Sequence, residues 1–75
     1  MEIHVKLMGI LKEKTPHDGK LELPEGATVA DVLQMLDVPG ERVHVFTVNG
    51  SFERDRTKPL QADDELCVIP PVGGG

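Results

Sequence analysis

Tryptophan and tyrosine are missing from this sequence, phenylalanine occurs only at Phe46 and Phe52, and there is a single cysteine, Cys67. Any core must therefore be aliphatic, and one cysteine cannot close a disulfide within the chain. No apolar run approaches the roughly 20 residues that cross a bilayer. No charged-then-apolar leader opens the chain, so a secretory signal is not expected. Positive charge is scarce too: 8 Lys and Arg stand against 13 Asp and Glu, a net charge of −5. That balance repels phosphate backbones and argues against a nucleic-acid partner, while favouring a basic protein surface. Catalytic patterns are absent as well. There is no G-x-x-x-x-G-K-[ST] loop to hold ATP. His4, His17 and His44 match no metal-ligand spacing. No Ser-His-Asp set or carboxylate pair supports an enzyme. The expectation is a cytoplasmic, disulfide-free protein with no metal or bound cofactor and no membrane contact, which is not itself an enzyme.

What is present is one small domain of 75 residues, 39% of them hydrophobic, enough for a single modest core. From Glu2 to Met8, Ile3, Val5 and Leu7 alternate with His4, Lys6 and Met8, the period of a strand with one buried face. Gly9 to Gly19 reads as a polar connection, too short and too polar for much of a helix. Lys20 to Leu23 reads as a second strand paired antiparallel with the first. Pro24-Glu25-Gly26 breaks it. Thr28 is a natural helix N-cap, with Asp31 placed to answer it in a capping box. Val29, Val32, Leu33 and Leu36 then form one apolar stripe, over a helix of about ten residues that Pro39-Gly40 stops.

Val43 to Val48 is rich in β-formers, and Asn49-Gly50 is a tight-turn signal. Ser51 to Glu53 fits a short edge strand, and Leu60 anchors a polar stretch from Arg54 to Asp64. Glu65 to Ile69 is the last strand, with Leu66 and Val68 inward, and Pro70-Pro71 ends it because proline offers no N–H to a ladder. The order β, β, α, β, (β), β predicts an α+β fold of β-grasp type. Its mixed sheet would have four to five strands and one main helix packed on one face.

Residues 1–71 are read as the domain and 72–75 as a Gly-rich tail. The paired prolines favour a stiff extended conformation that pushes the chain away from the body. From Val72 to Gly75 the tail spans roughly 13 Å when extended, and Gly73, Gly74 and Gly75 carry no Cβ to block entry into a narrow channel. Glycine-rich ends also occur as disordered termini or expression scars. A scar usually carries Ser, His or protease-site residues, and none occurs here.

Five phrases stand in order along the chain: the opening strand Ile3 to Met8, Leu23-Pro24-Glu25-Gly26-Ala27-Thr28-Val29-Ala30-Asp31-Val32-Leu33, the turn Val48-Asn49-Gly50, Leu60 before Ala62-Asp63-Asp64-Glu65, and Ile69-Pro70-Pro71-Val72-Gly73-Gly74-Gly75. Together they resemble the ubiquitin-like sulfur carriers of the ThiS/MoaD family. MoaD-like members often carry a helix between the first two strands and a Phe where Ile69 stands. The Pro-Pro-Val ending leans to MoaD, and the short first connection leans to ThiS.

The resemblance implies that Gly75 is the working residue. An ATP-dependent adenylating enzyme of the ubiquitin-activating kind would activate its carboxylate, and sulfur would then replace the adenylate to give a thiocarboxylate. The sulfur-accepting partner would be the large subunit of molybdopterin synthase, in molybdenum or tungsten cofactor synthesis, or another such enzyme. The thiamine thiazole pathway, and attachment through Gly75 to lysines of other proteins, are the alternatives. An ionised carboxylate, with an ordinary pKa of about 3.5, is a poor electrophile, so activation has to come first.

The sheet face opposite the helix is expected to dock partners, with Met8, Val43, Val45, Cys67 and Ile69 as its apolar residues and His4, Lys6 and Thr47 beside them. β-Branched residues are also what strands need in any case. Cys67 reads more simply as a small hydrophobe than as a sulfur-bearing thiol. Asp63, Asp64 and Glu65 read as a solvated acidic turn or as a contact to basic residues of a partner.

Overall fold

The first strand sets the frame of the sheet. In β1 (Glu2–Leu7) exposed and buried residues alternate without a break, and Ile3, Val5 and Leu7 are almost wholly buried. The structure, a computed structural model, describes residues 1–71. β2 (Lys20–Glu22) pairs antiparallel with β1, placing Leu21 opposite Ile3. The backbones of Met1 and Leu23 extend this ladder with reciprocal hydrogen bonds of 2.7 Å.

Between these strands the chain is more ordered than a polar connection. Residues Gly9–Lys14 and His17–Gly19 form 3₁₀ turns, and Leu11 is buried in the core. Leu11 is the one buried side chain of these turns and ties them to the core, while no amphipathic stripe exists for an α-helix.

The single helix, α1 (Val29–Met35), has seven residues, too few to stand alone in water. It is held at both ends. At its start, Asp31 N–H donates to Thr28 Oγ1 (3.3 Å) and Thr28 N–H to Asp31 Oδ2 (2.9 Å), a reciprocal capping box. It stops earlier than Pro39-Gly40. Asp37 takes the left-handed conformation (φ 58°), its N–H bonds to Gln34 O, and Val38 N–H bonds to Leu33 O at 2.8 Å. These are the two bonds of a Schellman ending. Val29, Val32 and Leu33 from the helix pack into one cluster with Ile3, Val5, Leu66 and Val68 from the sheet.

The remaining strands are β3 (Val45–Val48), β4 (Ser51–Glu53) and β5 (Glu65–Ile69). Asn49 (φ 54°) and Gly50 (φ 85°) make the β3–β4 turn, where two successive positive φ values match the twist of a tight hairpin. The sheet order is β2-β1-β5-β3-β4. β1 and β5 run parallel, and all other pairs are antiparallel. A mixed five-stranded sheet with one helix on its inner face is the β-grasp arrangement expected from the element order.

Candidate functional site

The outer face of the sheet follows from the register. Lys6 pairs with Cys67, Cys67 with Thr47, and Thr47 with Phe52, giving one row across four strands. One step along, Val45 pairs with Ile69, and Met8 N–H donates to Val68 O at 3.0 Å, bringing Met8 to the same end. One step the other way, Lys20, His4 and Glu65 line up. Met8, Val45, Cys67 and Ile69 therefore share a face that the helix does not cover. Val45, Cys67 and Ile69 are half-buried, and Met8 is exposed. Between β1, β5 and β3 lies a depression of about 260 Å³ lined by His4, Lys6, Thr47, Glu65 and Cys67.

Val43 does not belong to this face. It is 7% exposed and sits in the core cluster. Alternation relates Val43 to Val45 only inside a strand, and the ladder starts at Val45. Val43 instead closes the 3₁₀ turn Gly40–Arg42, with its N–H on Gly40 O. The Arg56 guanidinium donates to Gly40 O (3.3 Å) and Val43 O (3.5 Å), holding that turn so that Val43 points inward.

Phe52 belongs to the face and was not among the residues read from the sequence. It is 74% exposed, the most exposed of the large apolar side chains among the described residues. The signal was available: a two-residue Asn-Gly turn puts Ser51 opposite Val48 and so Phe52 opposite Thr47.

The acidic turn is built rather than merely solvated. Asp64 accepts hydrogen bonds from Asn49 Nδ2 (2.9 Å) and Gln61 N–H (2.8 Å), while Asn49 Oδ1 accepts from Glu65 N–H (2.9 Å). Asp63 is exposed and takes a positive φ of 66°. Among the described residues no group of three His, Cys, Asp or Glu side chains is placed to hold a metal, and no helix is long and apolar enough to cross a membrane.

At the end of β5, Pro70 is buried and Pro71 is exposed. The prolines were expected to carry the chain off the body; the first of them is seated in it. Gly73, Gly74 and Gly75 lie outside the described residues.

Sheet order, helix and exposed outer face together define a ubiquitin-like β-grasp protein. The sequence matches the ThiS family over residues 5–75. The chain belongs to that family. No curated protein matches it.

Among solved structures, it is similar to a protein described as molybdopterin converting factor subunit 1 from Pyrococcus furiosus, with 28% identity, 96% of this chain and 99% of that one covered, and a TM-score of 0.74. It is also similar to small archaeal modifier protein 1 of H. volcanii, with 25% identity, coverage of 95% and 98%, and a TM-score of 0.71. A complex of subunits 1 and 2 of the molybdopterin-converting factor from Helicobacter pylori shares the fold at 20% identity, with full coverage of both chains and a TM-score of 0.63.

Proposed function

We propose that this chain is a sulfur carrier for molybdopterin synthesis whose reactive group is the carboxylate of Gly75. The observation that carries the reading is the family match, which runs through Gly75 and so takes in Pro70-Pro71-Val72-Gly73-Gly74-Gly75. The 28% identity to a molybdopterin converting factor subunit across nearly the full length of both chains supports the choice of pathway.

In this reading a carboxylate oxygen of Gly75 attacks the α-phosphorus of ATP in a separate adenylating enzyme, and pyrophosphate leaves. A sulfide-level nucleophile then attacks the acyl carbon, AMP leaves, and a thiocarboxylate remains. That terminal sulfur is delivered inside an acceptor enzyme, by analogy with the subunit 1 and subunit 2 assembly of the Helicobacter protein. The carrier supplies reach, a slim tip and a docking face made of Met8, Val45, Cys67, Ile69 and Phe52. It binds no cofactor, and the catalytic groups belong to its partners.

A second reading is favoured by one observation, the 25% identity to small archaeal modifier protein 1: conjugation of Gly75 to lysines of other proteins. Both readings share adenylation, and they differ in the product. Intact-mass spectrometry of the protein from its native cells separates them. A gain of about 16 Da, oxygen replaced by sulfur, marks the carrier. Isopeptide-linked ladders mark the modifier. Appending one alanine after Gly75 is expected to abolish activation, and undiminished activation of that variant would refute both.

A further inference from the structure

Gly9 sits where β1 ends and the first 3₁₀ turn begins. Its φ is +56°, and a Cβ built on it would lie 3.0 Å from Pro70 Cγ and 3.7 Å from Pro70 Cδ. The proline ring thus rests on the space a side chain would take. Around it, the end of β5 is held from both sides: Met8 N–H donates to Val68 O (3.0 Å), and His44 N–H donates to Ile69 O (2.9 Å). Pro70 is buried by this arrangement, and Pro71 is the first exposed residue after it.

Proline fixes φ at both positions, so little backbone freedom separates the anchored Ile69 from Pro71. Wherever the Pro70 ring is seated, the chain beyond it sets out from that place and in that direction. We infer that Gly9 is a positioning residue for the reactive terminus: its missing side chain seats Pro70 and thereby fixes the point from which Gly75 is presented to the adenylating enzyme. This rests on the proposed activation at Gly75. It adds a residue distant in sequence that touches neither ATP nor the terminus. Reactions that depend on threading a terminus into a partner's site are sensitive to such aim, since a displacement near 1 Å can cost on the order of a hundredfold.

Two effects of Gly9→Ala must be separated, the strain of a positive φ and the clash with the ring. Gly26 provides the control, because it has φ +83° and nothing within 4 Å of an added Cβ. Gly26→Ala carries comparable backbone strain without touching the C-terminal segment. The experiment measures ATP–pyrophosphate exchange by the adenylating enzyme purified from the source cells. Its protein substrates are the full chain, Gly9→Ala, Gly26→Ala, Pro70→Ala and the Gly9→Ala/Pro70→Ala pair, at a temperature where circular dichroism shows all of them folded.

Gly9→Ala is expected to lower kcat/KM by about tenfold, Gly26→Ala to leave it unchanged, and the Gly9→Ala loss to shrink severalfold in the Pro70→Ala background. A Gly9→Ala loss no larger than that of Gly26→Ala overturns the inference, as does an equal loss in both backgrounds. Should the unaltered chain not be activated at all, the functional reading fails. The inference is then judged by NMR: Gly9→Ala, and not Gly26→Ala, must shift the resonances of Ile69 and Pro71. If they stay in place, the seating of Pro70 does not depend on Gly9.

Discussion

Asp37 is a non-glycine residue held at φ 58°, where its Cβ crowds the backbone. The Schellman ending demands that conformation and does not demand a carboxylate. Among the described residues the side chain's one partner is Lys14 Nζ at 3.7 Å, from a carboxylate that is almost fully exposed, a contact of little energetic value. Replacing Asp37 by Gly should therefore stabilise the fold by about 0.5 kcal/mol, the relief of strain outweighing glycine's extra entropy in the unfolded chain. Urea denaturation with an unchanged slope would register it as a higher midpoint.

Glu53 shows the reverse situation, a side chain whose charge is used. It accepts from the N–H groups of Arg54 and Asp55 and pairs with Lys58 Nζ at 3.1 Å. Its carboxyl is held below the ordinary value of 4.5, first by the Asp55 N–H, then by the Lys58 ammonium and the Arg54 N–H. Asp55 is lowered from 3.8 by the hydroxyl and N–H of Thr57. Because the folded loop favours the charged forms, its order is complete above the ordinary values and fades as pH falls through the lowered ones. Amide protection factors at Arg54, Asp55 and Thr57, taken relative to the unfolded chain at each pH, are expected to be flat from neutrality down to pH 4.5 and to fall only below that, ahead of global unfolding. A fall beginning near pH 6, at histidine's ordinary range, would show that another group governs the loop.

At the scale of elements, α1 is short enough to depend on its caps. Thr28→Ala removes the acceptor for Asp31 N–H and leaves Asp31 without its reciprocal role, at a cost of about 1 kcal/mol. Thr28→Ser should recover most of it, and a thermal melt of the three proteins decides the matter.

The capping box was legible because its chemistry is local: two residues at a fixed spacing satisfy each other. The same holds for the Asn49-Gly50 turn, which needs only its own two φ values, and for β1, whose alternation repeats three times without a break. What escaped was set by distant parts of the chain. Val43 turns inward because Arg56 ties down the preceding turn, thirteen residues away in sequence. Leu11 joins the cluster formed by the strands and the helix, although its neighbours Ile10 and Lys12 are exposed. The burial of Pro70 is a meeting of residues 9 and 70 that no local pattern announces. Phe52 was within reach, since hairpin register follows from loop length.

For the whole molecule, the helix covers one side of the sheet and leaves the other bearing Met8, Val45, Cys67, Ile69 and Phe52 around Lys6 and Thr47. If this face docks the activating and accepting enzymes, its most exposed apolar member should act as an anchor. Phe52 lies at the edge in β4 and is 74% exposed, so Phe52→Ser should change stability by no more than about 0.5 kcal/mol. Loss of an aromatic anchor from an interface commonly costs 1–2 kcal/mol, roughly a tenfold fall in affinity. Val45→Asp adds a charge at a half-buried position and should weaken binding further, with some loss of stability.

Met35 supplies the comparison. It is 53% exposed, but it sits on the helix side, so Met35→Ser should leave binding untouched. Calorimetric titration of the three variants into the purified adenylating enzyme separates a specific face from general stickiness. Equal weakening by Phe52→Ser and Met35→Ser would mean that apolar exposure matters and its location does not. Weakening confined to Phe52 and Val45 would place the partner on the side of the sheet that the helix leaves open, across the two adjacent rows that carry Cys67 and Ile69.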